Sequence, residues 1–279
     1  MRSSQVAIIT GATRGIGLAL AEALLKEGMI VYAVGVDEKR VAELAARLDH
    51  PRLHARRLDV ASRSALEALL AEVESAHHRL DWMVNNAGVL AGGELADMSE
   101  AQMERLVDVN LWGVIHGSRL AAQRMRRQKS GHIINVASMA GVFPVPFSAV
   151  YTATKHAVFG FSLALREELR SYGVSAHVVC PDVVDTGIFD RADDNAGYSY
   201  RNIINRHLSR AITVEEAVGC IIAGVDKDRA VIYAPNRSRA IGAVGRMFPS
   251  FIARQVAMRM APNGHGNGQG QGQAKRSGS

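Results

Sequence analysis

The chain alternates short apolar runs with longer stretches whose apolar residues recur at helical spacing. QVAIIT (5–10), MIVYAVGV (29–36), RLHARRLDV (52–60), WMVNNAG (82–88), HIINVAS (132–138), SAHVVC (175–180) and AVIYAP (230–235) read as strands. Between them, residues 15–28, 38–48, 64–80, 99–128 and 150–171 carry a helical period, and Thr213 with Glu216 opens a further helix. Gly28 suits the end of the first helix. Ser64 with Glu67, and Ser99 with Gln102, have the spacing of capping boxes. Strands separated by helices of this length imply parallel pairing through right-handed crossovers. Strands that are nearly all apolar imply helices on both faces of the sheet. The expected fold is α/β: a doubly wound Rossmann-type fold with a mainly parallel sheet of about seven strands. Ligands then bind beyond the C-terminal strand ends, where the unusual loops of this chain fall.

Composition narrows the class. Of 279 residues, 48% are hydrophobic, enough for a sizeable core. Cys180 and Cys220 each sit in an apolar run, which fits a reducing compartment better than a disulfide framework. The N-terminal apolar run is too short for a signal-peptide core, and no window offers about 18 unbroken apolar residues. A cytoplasmic protein is expected, with no metal centre and no nucleic-acid partner. The net charge of +6 is unevenly placed: residues 229–279 hold eight Lys and Arg and no acid, leaving 25 basic and 27 acidic residues before them. The expected organisation is a main α/β unit over 1–236, a basic amphipathic extension over 237–261, and a Gly/Gln-rich disordered tail over 262–279. Within the extension, arginines are interleaved with large apolar residues, which suits either packing on the protein's own core or peripheral contact with a membrane.

Two short motifs carry chemistry. In YTATK (151–155), Tyr151 and Lys155 lie one helical turn apart and share a face. A free tyrosine has a pKa of about 10. An ammonium within about 4–6 Å can lower that by about 1–3 units, giving a usable proton donor and acceptor. In TGATRGIG (10–17), Gly11, Gly15 and Gly17 lie between the first strand and the first helix. Glycine allows close backbone approach to a phosphate, and the following helix N-terminus offers free N–H groups to it.

With LDV (58–60), NNAG (85–88), VDVNLWG around Asn110, INVASMAG around Ser138, YTATK and PDVVDT (181–186) in that order, the sequence resembles the short-chain dehydrogenase/reductase family over roughly residues 5–235. The resemblance implies hydride transfer between a nicotinamide and a carbonyl or secondary alcohol. It implies Tyr151 as general acid or base and Ser138 as hydrogen-bond partner of the substrate oxygen. Lys155 would lower the Tyr151 pKa and hold the nicotinamide ribose, and Asn110 would anchor a water that links Lys155 to solvent. It places Gly11, Arg14, Gly15, Ile16 and Gly17 around the phosphates and Asp59 and Val60 beside the adenine. Asn86, Ala87 and Gly88 would line the nicotinamide side, and Val184 and Thr186 would meet the carboxamide and phosphate. The family usually has glycine where this chain has Asp182, a side chain able to shift the turn or enter the site.

The choice of cofactor leans to NADP over NAD. The second strand ends in Gly35 and Val36 instead of an acid, Asp37 begins the next turn, and Arg14 is suited to a 2′-phosphate. Residues 187–212 are expected to form a mobile lid over the substrate, and 141–150 an apolar wall before Tyr151. An apolar substrate fits, of steroid, retinoid or fatty-acyl type. The alternatives are a β-ketoacyl reductase acting on a carrier-protein or CoA thioester and a non-catalytic dinucleotide sensor. A homodimer or homotetramer is expected from the resemblance and from the apolar surfaces of 99–128 and 150–171.

Overall fold

A computed structural model describes residues 2–195, 198–207 and 211–260. The tail expected to be disordered at 262–279, and five residues of the expected lid, lie outside the described residues. The strands are β1 (Val6–Thr10), β2 (Ile30–Gly35), β3 (Leu53–Arg57), β4 (Trp82–Asn85), β5 (Gly131–Val136), β6 (Val174–Pro181) and β7 (Val231–Ala234). They form one sheet in the order β3-β2-β1-β4-β5-β6-β7, with every pairing parallel. All the expected strands are present; β5 starts one residue early, β6 is extended by one residue at each end, and the rest are trimmed.

The sheet is covered on both sides because its strands alternate apolar residues between two faces. Ala7 and Ile9 of β1 join Leu20 and Leu24 of α1 (Gly15–Lys26) and Ile221 of α8 (Val214–Asp226). Val6 and Ile8 turn the other way, toward Leu66 and Leu70 of α3 (Arg63–His77), Met125 of α5 (Gly113–Gln128) and Leu165 of α6 (Ala149–Leu169). The strand order reverses between β1 and β4. The crevice beyond their C-terminal ends is where such a sheet binds ligands.

Two helical stretches differ from expectation. α3 is capped by Ser62, whose hydroxyl accepts from the Ala65 amide at 3.3 Å, and not by Ser64. The turn after β3 already ends at Ser62, whose amide bonds the Asp59 carbonyl, so the helix begins two residues early. The stretch 99–128 does open with the Ser99–Gln102 capping box, but it is not one helix. α4 (Glu100–Val107) passes into a widened turn at Asp108–Trp112 before α5 begins. Widened turns of this kind often mark functional positions, and Asn110 lies inside this one. The expected capping of α8 by Thr213 is observed, with the Glu216 amide at 3.1 Å.

The expected lid contains a short turn at Phe189–Arg191 and a helix, α7 (Tyr200–His207). After β7 come α9 (Ser238–Met247) and α10 (Pro249–Met260), broken at Phe248 by the proline that follows it. The remaining helix is α2 (Glu38–Leu48), between β2 and β3.

Candidate active site

Three loops close on one another beyond β1 and β4. Gly11 (φ 64°) and Gly15 (φ 52°) adopt left-handed backbone. A Cβ on Gly11 would lie 2.8 Å from the Ala87 Cα, one on Gly15 2.7 Å from the Thr186 Cβ, and one on Gly17 2.4 Å from the Gly11 carbonyl. Thr10 fastens the second loop to the first. Its hydroxyl accepts from the amides of Asn86 (2.9 Å) and Ala87 (3.0 Å) and donates to the Val84 carbonyl (3.2 Å). The Asn86 amide nitrogen returns bonds to the carbonyls of Thr10 (2.9 Å) and Gly11 (3.2 Å). The loops therefore present backbone, not side chains, to whatever lies between them.

This cradle is electropositive. The N-terminus of α1 has no side-chain cap and no acid in its first turn, so its amides remain available to an anion. The Arg14 guanidinium has a buried nitrogen, Nη1, with no hydrogen-bond partner. Burial lowers the Arg14 pKa, and the nearby charges of Arg191 and Arg40 lower it further against the opposing pull of Asp37. Asp37 caps α2, accepting from the Arg40 amide at 3.1 Å and facing the Arg40 Nε at 3.4 Å. Asp59 lies exposed with its carboxylate on the Ala61 amide (3.0 Å), and Val60 is buried under Gly113. An orphaned guanidinium nitrogen, glycines with no room for a Cβ and an uncapped helix N-terminus fit the phosphates of a dinucleotide.

The second group sits at the ends of β5 and α6. Ser138 is extended and starts the turn Met139–Gly141, its hydroxyl accepting from the Ala140 amide at 3.1 Å. Tyr151 lies in the first turn of α6, where the Ser138 hydroxyl is near enough to act on its pKa. Lys155 follows one turn later on the same face, with its ammonium 5.7 Å from the Tyr151 ring centre and donating to the Val136 carbonyl at 3.0 Å. A Cβ on Gly88 would lie 3.3 Å from the Asn110 Oδ1 and 3.7 Å from the Lys155 Nζ, so all of these groups border one space.

Two features of the geometry bear on the expected roles. Burial pushes the Tyr151 hydroxyl up to about 12, against the lowering effect of the nearby Ser138 hydroxyl. Lys155 is itself buried, is brought down to about 8 and donates to the Val136 carbonyl. Asn110 is wholly buried, and both ends of its amide are taken by the backbone of Val89, at 2.9 Å each. Its side chain pins the loop after β4.

Asp182 does not enter the site. One carboxylate oxygen accepts from the Val183 amide (2.9 Å) and the other from the Ser238 hydroxyl (2.7 Å) at the start of α9. Val184 bridges Ile212, and the Thr186 side chain faces Gly15. Around Tyr151 the expected wall and lid meet in one apolar cluster, with Phe147 and Val145 from the wall and Ile188, Tyr198 and Tyr200 from the lid. Thr10, Arg40, Arg191 and Ser238 were not expected here. Only Arg40 carried a signal, as a basic residue just after the second strand.

A sequence model of the family described as short chain dehydrogenase matches residues 5–197. A protein assigned as the ketoacyl reductase of the monensin polyketide synthase of Streptomyces virginiae is 34% identical over 256 residues, which cover 87% of this chain and 98% of that one. The oxidoreductase EphD of Mycobacterium tuberculosis is 32% identical over 267 residues, and this chain spans only 44% of its length. Among solved structures, a short-chain dehydrogenase from Sphingobium yanoikuyae in complex with NADPH superposes with a TM-score of 0.74 at 26% identity, covering 95% of this chain and 99% of that one. One from Burkholderia phymatum in complex with NAD superposes at 0.79 and 29% identity, covering 94% and 97%.

Proposed function

The chain belongs to the short chain dehydrogenase family, and from that membership we propose an NADP-preferring oxidoreductase acting on the carbonyl or secondary alcohol of an apolar substrate. When bound, the cofactor would supply hydride to the carbonyl carbon or take it from the alcohol. Gly11, Arg14, Gly15, Ile16 and Gly17 would hold its phosphates, with Val184 and Thr186 on the β6 side. Asp59 and Val60 would lie toward the adenine, and Asn86, Ala87 and Gly88 toward the nicotinamide.

The protein's own groups handle the proton. Tyr151 donates one to the substrate oxygen in reduction and accepts it in oxidation. The burial that raises its pKa keeps the hydroxyl protonated at neutral pH, the form a proton donor requires. Ser138, close to Tyr151, stabilises charge as it develops on that oxygen. Lys155 supplies positive charge beside Tyr151 and binds the ribose hydroxyls. Asn110 positions the loop that carries Gly88.

The observation that carries the NADP preference is the convergence of Arg14, Arg40 and Arg191. Burial lowers the pKa of Arg14 and of Arg191, the charges of Arg191 and Arg40 lower Arg14 further and that of Arg40 lowers Arg191, and a bound dianion such as a 2′-phosphate would relieve that repulsion. Of the two acids near them, Asp37 already caps α2 and Asp190 is paired with Arg201. The apolar cluster around Tyr151 supports the substrate class. A second reading, reduction of a β-ketoacyl thioester, is favoured by the similarity to the monensin ketoacyl reductase. Association into a homodimer or homotetramer belongs to the same proposal; a monomer in light scattering at micromolar concentration would remove it. For the chemistry, Tyr151→Phe should lower turnover about 10²–10⁴-fold while dinucleotide affinity stays unchanged. Near-normal turnover by that variant would take Tyr151 out of the mechanism.

A further inference from the structure

The C-terminal helices carry large apolar side chains on the wrong side for a core helix. Ten such side chains are exposed among the described residues, and six of them lie within 241–258: Ile241, Val244, Met247, Phe248, Phe251 and Met258. The reason is in the packing of α9. Its inward positions are Ser238, Gly242 and Gly245, all buried. Ser238 bonds Asp182, a Cβ on Gly242 would lie 2.9 Å from the Tyr233 ring, and one on Gly245 2.9 Å from the Phe143 Cβ. Only the small face fits against the protein, so the large apolar face is turned to solvent.

Charge accompanies this face. Residues 237–260 contain five arginines and no acid. Arg239 and Arg254 are exposed, and Arg246 lies with its guanidinium 4.9 Å from the Phe159 ring centre. The inner side of α10 does something different. Val256 and the buried Met260 pack into the apolar cluster that includes Tyr151. The outward apolar face and the wall of the substrate mouth therefore share one helix.

We propose that α9 and α10 form a docking face for the surface of an anionic lipid bilayer. Contiguous exposed apolar side chains flanked by basic ones are what an interfacial helix presents to lipid, and an acidic headgroup layer complements a segment with arginines and no acid. A second copy of the chain fits poorly, because a two-fold contact through this face would set arginines against arginines. No described helix is long and apolar enough to cross a membrane, so the contact is peripheral. It would bring the apolar mouth beside Tyr151 to the lipid surface, where apolar substrates concentrate; that consequence rests on the proposed activity, while the docking does not.

The test is co-sedimentation of the full chain with vesicles of phosphatidylcholine alone and of phosphatidylcholine with phosphatidylglycerol. Binding is expected to the anionic vesicles, and release when added salt shortens the Debye length from about 10 Å to about 3 Å. A triple variant, Met247→Ser, Phe248→Ser and Phe251→Ser, and a charge variant, Arg239→Glu with Arg254→Glu, should each weaken binding at least about tenfold. Dinucleotide binding serves as the check on folding, and if the triple variant fails that check the charge variant alone decides. The proposal is overturned if the wild type ignores anionic vesicles at low salt or if the folded variants bind as well as it does. It is also overturned if the variants lower the protein's mass in lipid-free solution without lowering vesicle binding, which would make the face a subunit contact. Vesicle binding is read without substrate, so failure here leaves the hydride-transfer reading untouched.

Discussion

The glycine loop before α1 and the glycine face of α9 use the same residue to opposite ends. In the loop, Gly11, Gly15 and Gly17 draw three backbone segments together and leave an electropositive concavity facing outward. In α9, Gly242 and Gly245 draw a helix onto Tyr233 and Phe143 and leave nothing between them. A missing Cβ in the first place lets the loops meet and shape a backbone-lined cradle. In the second it removes room, and the large side chains of the helix are expelled to the surface. A glycine thus reports close approach. What approaches is decided by the chain on the other side.

Substitutions that restore a Cβ at each end would sharpen this contrast. Gly17→Ala should have the largest effect. Its Cβ meets the Gly11 carbonyl and the Asn86 amide, both backbone or backbone-anchored, so the loop must shift. A forced shift costing about 1–3 kcal/mol would weaken binding of NADP and NAD alike by about 5- to 150-fold in a fluorescence titration. Unchanged affinity would mean the cradle is not where the dinucleotide sits. Arg14→Ala comes next and is selective. Loss of a charge-assisted bond, about 1.5–3 kcal/mol, should raise the NADP dissociation constant at least about tenfold and leave NAD nearly unchanged. Equal losses for both would assign Arg14 to the shared diphosphate.

The α9 end should respond in stability alone. Gly245→Ala forces the helix off Phe143 and should cost about 1–3 kcal/mol in denaturant unfolding with dinucleotide affinity intact. Gly160→Ala, in α6, is the smallest and has the opposite sign. Nothing lies within 4 Å of the added Cβ, so the gain in helix preference should stabilise by about 0.5–1 kcal/mol. Destabilisation there would show that open space around a glycine is a poor guide in this fold.

Much of the fold was legible because its signals are local. Strand runs such as VAIIT and WMVN are apolar on both faces, and α4 announces itself with a Ser99–Gln102 box. Ser138, Tyr151 and Lys155 were legible because a strand end and a helical turn fix their geometry. The parts that were not legible depend on pairs distant in sequence. Arg14 and Arg191 come together only because β1 and β6 end on the same side of one sheet. Asp182 looked like an intruder in the site, and only Ser238, 56 residues later, shows where its carboxylate goes. The widened turn at Asn110 follows from a tertiary bond to Val89, which no helical period encodes. The pattern of α9 marks it as two-faced, but not that its small face is the buried one. The burial that raises the Tyr151 pKa is invisible in a spacing of four residues.

The central claim is that this site moves hydride between NADP and the carbonyl of an apolar molecule. The direct measurement is a panel of apolar ketones, their alcohols and a β-ketoacyl thioester, each offered with NADP(H) and NAD(H), following the absorbance of the reduced nicotinamide. The account predicts turnover of apolar ketones or alcohols with kcat/KM at least about tenfold higher for the phosphorylated cofactor. Turnover of the thioester alone would move the substrate class to the second reading. Absence of any cofactor oxidation or reduction across the panel, by a protein that binds the dinucleotide, would contradict the account.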